Sequence, residues 1–190
     1  EMCIRDSLYT DIFILKIFSS KANEDIANYG FSLNIAAILL IVPMTLVQVD
    51  IERLKSDKGY VKRLNKNITY LVILSALILI LIFYLLTGYI FTSFEEMFVL
   101  FLLILVSKIF QALSTLYGTM IVVEKRFKTN FLINIIAFVS NIILSVVLFS
   151  KLGIYGVAVA SLFSISLRQI FLVKYYSCLL YTSDAADDLW

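Results

Sequence analysis

The sequence predicts an all-α protein, a polytopic transmembrane helix bundle, on three observations. Apolar residues make up 61% of the 190 residues, whereas soluble domains contain roughly half. Five long apolar runs contain no Asp or Glu, and they are residues 29–49, 68–91, 97–123, 131–150 and 155–176. As a helix each run is about 30 Å or more long, which matches the hydrocarbon core of a bilayer. The cations between the runs alternate in a way that fits five crossings.

The two ends of the chain differ from the rest. Residues 1–7 and 177–190 resemble translated read-through of sequencing adaptors, and we expect both to be non-native. Residues 8–176 then form the transmembrane bundle, with a net charge of +6, and the chain is a piece of a longer protein. Residues 8–18 are apolar but too short to cross a bilayer, so we expect them to be the outer end of a truncated sixth span. Asp11 lies in this segment, and the sequence alone assigns no function to it.

The connections between the runs differ in charge. Residues 50–67 and 124–130 together hold nine Lys and Arg residues, whereas 19–28 and 151–154 hold one Lys each and 92–96 hold only two glutamates. The positive-inside rule places the two basic connections in the cytoplasm and the remaining connections outside. We therefore expect a multi-pass protein of the cytoplasmic membrane.

The basic connection 50–67 has an apolar face of its own. Leu54, Val61, Leu64 and Ile68 follow one another at helical steps, while Lys and Arg occupy the other positions. This pattern indicates an interfacial helix in the headgroup layer, interrupted at Gly59. A solvated basic loop that only sets the orientation is the alternative.

Polar and small residues within the runs follow helical stripes. The third run has Ser107, Gln111, Ser114 and Gly118 beside Lys108, the fourth has Asn134, Asn141 and Ser145, and the fifth has Gly156, Ala160 and Ser164 leading to Arg168. Small residues at this spacing let helices approach closely, and polar side chains can hydrogen-bond across the contact. We predict helix packing at Gly156, Ala160 and Ser164. At the Asn and Ser positions, packing and a polar path are both open.

Two cations lie deep within the runs. A Lys or Arg at the centre of a membrane span costs about 2.5 to 3.5 kcal/mol on translocon scales. Lys108 is far from both ends of its run, and the five runs contain no carboxylate as a counter-ion, so we expect it to face a wet cavity or an anionic cargo. Arg168 has the same interpretation, or its side chain reaches the cytoplasmic headgroups beside Lys174.

Enzyme motifs are absent from the sequence. It has no glycine-rich phosphate loop, no HExxH, no nucleophile elbow and no Cys/His cluster with metal spacing. It contains no histidine, and Cys3 and Cys178 lie in opposite terminal segments. The short outward connections leave little room for a polymerase or glycosyltransferase site. We therefore expect a protein that is not an enzyme and that needs no metal or cofactor.

Three motifs carry a family resemblance: the basic turn EKRFK at 124–128, Asn134 and Asn141 in the helix that follows, and the segment LGIYGVAVASLFS at 152–164. The same pattern also fits three segments nearer the start of the sequence. They are residues 11–15, residues 29–31, and the apolar run with Pro43 that precedes the Lys-rich connection. Over nearly all of 8–176 the chain resembles the polysaccharide-export flippases (Wzx-like) of the multidrug/oligosaccharidyl-lipid/polysaccharide exporter superfamily. The resemblance implies a MATE-like fold, of which this chain would be the second six-helix lobe.

The resemblance also implies a function. Such a flippase moves a lipid-linked oligosaccharide, usually on undecaprenyl diphosphate, across the cytoplasmic membrane of a bacterium by alternating access during O-antigen or other polysaccharide biosynthesis. Its partners would be the lipid-linked anionic glycan, membrane lipids and the polysaccharide polymerase or export machinery, with no nucleic acid. We hypothesise that Lys108 and Arg168 contact the diphosphate. Gln111, Asn134 and Asn141 would line the path of the sugar hydroxyls.

Two other classes remain open. A MATE-type drug or cation antiporter is expected to use carboxylates within the membrane for proton or sodium coupling, and a non-transporting membrane assembly partner would have no solvated cleft. The acid-free, cationic interior that the five runs predict favours the flippase over the antiporter.

Overall fold

The protein is an all-α bundle, as the sequence predicts. The computed structural model describes the backbone of residues 2–56, 58–89 and 97–187, and the side chains of residues 10–54, 59–89 and 97–178. Over these residues the chain forms eight α-helices and no strand. The helices are α1 (Met2–Phe18), α2 (Ala22–Ala37), α3 (Ile41–Val49), α4 (Ile51–Ser56), α5 (Lys58–Tyr89), α6 (Phe98–Val123), α7 (Phe127–Leu152) and α8 (Ile154–Asp187).

Five helical stretches are long and apolar enough to cross a membrane. They are Ala22–Val49, Gly59–Tyr89, Phe98–Val123, Phe127–Leu152 and Ile154–Cys178, and each contains most or all of one predicted apolar run. The predicted partial span 8–18 lies in α1, which packs against α2, α7 and α8. The predicted outer connection 92–96 lies outside the described residues. The five predicted spans are therefore confirmed as helices of membrane-spanning length.

The first of these stretches is broken in the middle. Helices α2 and α3 are joined by a 3-10 turn at Ile38–Leu40, which is followed at once by α3 with Pro43 in its first turn. Proline has no N–H to donate to the carbonyl of Leu39, and its ring crowds that carbonyl, so a regular α-helix cannot continue through this point. A span of two helical segments results, and the second segment, α3, borders the site described below.

The basic connection is helical and continues into the next span. Helix α4 ends at Ser56, and α5 begins at Lys58 and runs without interruption to Tyr89. The four apolar positions that the sequence analysis placed on one face, Leu54, Val61, Leu64 and Ile68, are all buried. The expected interruption at Gly59 was wrong, because Gly59 lies in the first turn of α5. The penalty of glycine applies to the interior of a helix, so Gly59 weakens α5 little at this position.

Helix α6 is the centre of the bundle. It is in contact with α2, α3, α5, α7 and α8, and 56% of the residues in its most apolar stretch are buried, compared with 28% for α5 and 17% for α7. The outer faces of α5 and α7 carry most of the exposed large apolar side chains. This distribution is the one expected when lipid surrounds the bundle and polar groups are kept on its central helix.

The turn between α7 and α8 depends on two glycines. Gly153 has φ +58°, a left-handed conformation that glycine adopts at little cost. Gly156 lies one turn further on, and a Cβ there would be 2.3 Å from the carbonyl oxygen of Leu148. The start of α8 can therefore pack directly on the backbone of α7 only because residue 156 has no side chain.

The turn between α6 and α7 is a Schellman motif. The N–H of Arg126 donates to the carbonyl of Ile121 at 3.1 Å, and the N–H of Lys125 donates to that of Val122 at 2.9 Å. Lys125 holds the left-handed position, with φ +58°, where helices usually have glycine. This turn brings the cations of 124–130 to the same end of the bundle as the ends of α3 and α6.

Candidate functional site

The polar side chains of the helical stripes face the interior. Asp11, Ser107, Lys108, Gln111, Ser114, Asn141, Ser145, Ser161, Ser164 and Arg168 are all buried. All of them except Ser107 and Ser164 belong to two groups at different levels of the bundle. We call the group around Asp11 the carboxylate centre and the group around Arg168 the arginine cavity.

The carboxylate centre joins three distant parts of the chain. The Oδ2 atom of Asp11 accepts hydrogen bonds from the hydroxyls of Tyr29 and Ser161, each at 2.6 Å. Its Oδ1 atom accepts a hydrogen bond from Nδ2 of Asn141 at 3.0 Å. The Asn141 amide is oriented in turn by Ser145, whose hydroxyl donates to Asn141 Oδ1 at 3.2 Å. A carboxyl group with 3% exposure is thus fixed by three donors from α2, α7 and α8.

Lys108 lies beside this centre. Its side chain is 1% exposed, its ammonium donates to Gln111 Oε1 at 2.9 Å, and it lies within electrostatic range of the Asp11 carboxylate. An amide oxygen alone is a weak partner for a buried ammonium, and the Asp11 carboxylate offsets part of the cost of its burial. Lys108 therefore points into the bundle and not at acyl chains.

The expectation of an acid-free interior was wrong. It rested on the five apolar runs, and Asp11 lies outside them in α1. Because α1 packs against α7 and α8, the Asp11 carboxylate lies inside the bundle, next to Asn141 and near Lys108. The reason for assigning Lys108 to an anionic cargo, namely the lack of any counter-ion, no longer holds.

Arg168 is held from two sides in a second polar group. Its Nε donates to Asn134 Oδ1 at 2.7 Å, and its Nη1 donates to the Ser114 hydroxyl at 2.6 Å. The side chain is 8% exposed and is directed toward α6 and α7. The alternative in which Arg168 reaches the headgroup layer is therefore wrong, since its guanidinium is engaged inside the bundle.

A cavity of about 550 Å³ opens beside Arg168. Its walls come from α3, α4, α6, α7 and α8, and they are formed by Met44, Val47, Gln48, Ile51, Thr115, Gly118, Thr119, Val122, Phe127, Asn130, Phe131, Asn134 and Arg168. Of the side chains that the structure describes, Arg168 is the one charged group in this wall, and none of these lining side chains is a carboxylate. The ends of α3 and α6 and the start of α7 border it, so the cavity lies toward the end of the bundle that carries the basic connections.

The predicted site residues fall into both groups. Lys108, Gln111 and Asn141 belong to the carboxylate centre, whereas Arg168 and Asn134 belong to the arginine cavity. The structure thus has two polar centres where the hypothesis had one continuous path. Neither Lys108, Gln111 nor Asn141 lines the arginine cavity.

The residues predicted to pack helices lie at the interface of α8 with its neighbours. Gly156 is in direct contact with the α7 backbone. Ala160 is 0% exposed, and the hydroxyl of Ser164 donates to the carbonyl of Ala160 at 2.9 Å. The hydroxyl of Ser140 on α7 also reaches Ser164, at 3.5 Å. The spacing of four residues keeps these small groups on one face of α8.

Sequence reasoning missed several members of the two centres. Asp11 had one available signal, because it is a lone acid inside an apolar segment, and such a residue usually needs a partner within the protein. Tyr29, Ser161 and Asn130 gave no signal, since their types are common in membrane helices. Over the described side chains, no three His, Cys, Asp or Glu residues come together as a metal site. The groups that contact the Asp11 carboxylate are hydroxyls and an amide.

Comparison with known proteins gives no match: no family model, no curated protein and no solved structure is significantly similar to this chain.

Proposed function

We propose that the chain is part of a flippase that moves an anionic, lipid-linked oligosaccharide of the undecaprenyl-diphosphate type from the inner to the outer leaflet by alternating access. The observation that carries this proposal is Arg168, a buried cation fixed by Asn134 and Ser114 in the wall of a cavity whose described lining contains no acidic side chain. A phosphate group entering this cavity would meet a guanidinium and, among the described lining residues, no repelling carboxylate. Guanidinium groups bind phosphate oxygens through charge-assisted hydrogen bonds.

The lining of the cavity supports an amphipathic substrate. Amide and hydroxyl groups lie beside aromatic and aliphatic side chains, such as Gln48 and Thr119 beside Phe127 and Phe131. The volume is within the roughly 300–1,000 Å³ of small-ligand sites, so it suits a headgroup and not a whole glycan. The diphosphate and the first sugar would then lie in the cavity, and the polyprenyl chain would remain in lipid.

The position of the cavity supports loading from the cytoplasm. It lies toward the end of the bundle where 50–67 and 124–130 concentrate nine cations. By the positive-inside rule this end faces the cytoplasm, where lipid-linked precursors are assembled on the inner leaflet. We accordingly propose that the protein resides in the cytoplasmic membrane of a bacterium and serves polysaccharide export.

The test uses the complete gene product in proteoliposomes with a fluorescent undecaprenyl-diphosphate sugar on the outer leaflet. We expect Arg168→Gln to lower the rate of flipping at least about tenfold, because a charge-assisted hydrogen bond to phosphate is worth roughly 1.5–3 kcal/mol. Lys174→Gln is the matched control, since it removes an exposed cation of the same helix outside the cavity. Equal flipping by Arg168→Gln and the control would refute the proposal.

A second candidate, an ion-coupled antiporter, is favoured by the carboxylate centre. A buried Asp with hydroxyl and amide groups around it is suited to exchange a proton or Na⁺ during a transport cycle, and Lys108 would supply an internal countercharge when the ion leaves. Asp11→Asn separates the two candidates. An antiporter would lose gradient-driven efflux of ethidium from proteoliposomes, whereas a flippase without ion coupling would keep the flipping rate per folded molecule.

A further inference from the structure

Gly118 lines the arginine cavity next to the guanidinium of Arg168. Arg168 is clamped between α6 and α7, with Ser114 on one side and Asn134 on the other. Gly118 follows Ser114 by one helical turn, and Asn130 precedes Asn134 by one turn. Gly118 therefore lies on the same side of the guanidinium as Ser114, and Asn130 lies on the same side as Asn134. Both are one turn closer to the end of the bundle that carries the basic connections.

The absence of a side chain at Gly118 leaves space next to a hydrogen-bond donor. A Cβ at this position would be 3.5 Å from Nη2 of Arg168, 3.8 Å from Leu172 and 4.0 Å from Oδ1 of Asn130. These distances are ordinary van der Waals contacts, so an alanine would fit without a clash. Helix packing therefore does not require a glycine at position 118. The space that this glycine leaves open lies between Nη2 of Arg168 and Oδ1 of Asn130.

Asn130 supplies the second half of this arrangement. Its Oδ1 atom is buried and has no hydrogen-bond partner. An unpaired buried acceptor costs roughly 1–3 kcal/mol, and most such atoms in proteins have a partner. Asn130 also lines the arginine cavity. A turn of the Asn130 side chain toward the cavity would expose this acceptor, and a ligand that carried a hydroxyl next to an anionic oxygen would then satisfy Asn130 and Arg168 at the same time.

We propose that Arg168, Gly118 and Asn130 form a two-point subsite for a sugar phosphate, in which Nη2 of Arg168 donates to a phosphate oxygen and Oδ1 of Asn130 accepts a hydrogen bond from a sugar hydroxyl. Gly118 determines specificity by leaving room for the bridging atoms. This inference rests on the proposed flippase function and deepens it, since it assigns the sugar nearest the phosphate, and not the lipid, as the group that is recognised.

The test measures binding of three probes, glucose 1-phosphate, inorganic phosphate and glucose, to the protein in lipid nanodiscs by isothermal titration calorimetry. We expect glucose 1-phosphate to bind more tightly than either of the other two. Arg168→Gln should lower the affinity for glucose 1-phosphate and for phosphate at least about tenfold. Asn130→Leu should leave the affinity for phosphate unchanged and lower that for glucose 1-phosphate about fivefold to the level of phosphate.

Gly118→Ala is the decisive variant because it changes the space and keeps the fold. We expect an unfolding temperature at or above that of the parent, since alanine favours a helix over glycine, together with a loss of glucose 1-phosphate binding of at least about tenfold. Gly30→Ala is the matched control, because Gly30 lies in α2 and an added Cβ would meet nothing within 4 Å. It should leave binding unchanged.

Each remaining outcome counts against the subsite. If phosphate binds in a manner that depends on Arg168 but neither Gly118→Ala nor Asn130→Leu changes the affinity for glucose 1-phosphate, the subsite is refuted and the proposed function stands. If no probe binds, or if Arg168→Gln binds all three as the parent does, both proposals fail.

Discussion

Asn141 and Asp11 are 130 residues apart in the chain, yet the side-chain amide of Asn141 donates to the Asp11 carboxylate at 3.0 Å. This bond joins α7 to α1 in the interior of the bundle. Together with the bonds from Tyr29 and Ser161, it makes the carboxylate centre the place where the first two helices and the last two helices meet. The stability of the bundle should therefore be sensitive to each donor.

Tyr29→Phe tests one donor of the carboxylate centre. It removes the hydroxyl that donates to Asp11 and keeps the buried ring. We expect the free energy of unfolding in detergent to fall by about 2 kcal/mol, because the buried carboxyl group loses one of its three donors. Tyr84→Phe, at an exposed ring on α5, is the control and should change it little. Equal unfolding curves for the two variants would contradict the role of Tyr29.

A double-mutant cycle tests the electrostatic link between Asp11 and Lys108. Asp11→Asn and Lys108→Met should each destabilise the protein, since each removes one member of a buried pair of ionisable groups that attract each other. We expect the double variant to lose less unfolding free energy than the two single variants lose together, by about 1 kcal/mol or more. Additive effects, measured as unfolding free energies in the same detergent, would show that the two charges do not interact.

Gly156→Ala tests the close contact between α7 and α8. An added Cβ would be 2.3 Å from the carbonyl oxygen of Leu148, and the backbone must move to admit it. We expect a loss of about 3 kcal/mol of unfolding free energy, at the upper end of overpacking effects. Gly88→Ala, where a Cβ meets nothing within 4 Å, is the control and should cost nothing measurable. A stable Gly156→Ala variant would refute the contact.

Lys125→Gly tests the Schellman turn between α6 and α7. Lys125 has φ +58°, and a residue with a Cβ pays roughly 1 kcal/mol for this conformation. We expect glycine at this position to raise the unfolding free energy by a similar amount. Val139→Gly, at an exposed position in the middle of α7, should lower it, because glycine weakens a helix interior. A fall in stability for Lys125→Gly would contradict the left-handed turn.

The sequence predicted the spans well, because length and apolar content are local properties. It also predicted which faces turn inward, since the stripes at Gln111, Asn141 and Arg168 follow from helical periodicity. It did not predict which stripes meet, because the rotation of each helix depends on neighbours far away in the chain. Asp11 shows the consequence: its partners Asn141 and Ser161 come 130 and 150 residues later.

The break in the basic connection was a different kind of error. Glycine usually marks an interruption inside a helix, and this rule placed the break at Gly59. In the structure α4 ends at Ser56 and α5 begins at Lys58, so Gly59 lies in the first turn of α5. Glycine destabilises a helix mainly in its interior, so it has little effect there. Local propensity cannot separate these cases when they differ by only two or three residues.

The carboxylate centre sets an order of events during biosynthesis. Asp11 leaves the ribosome with the first helix, and Tyr29 follows soon after, but Asn141 and Ser161 are translated much later. At about 5–20 residues per second, the gap is on the order of ten seconds. During this time the nascent α1 carries an acid with one of its three donors, so the carboxylate centre stays incomplete until the α7–α8 hairpin is made. Synthesis of α7 and α8, and not of α1 and α2 alone, completes this centre.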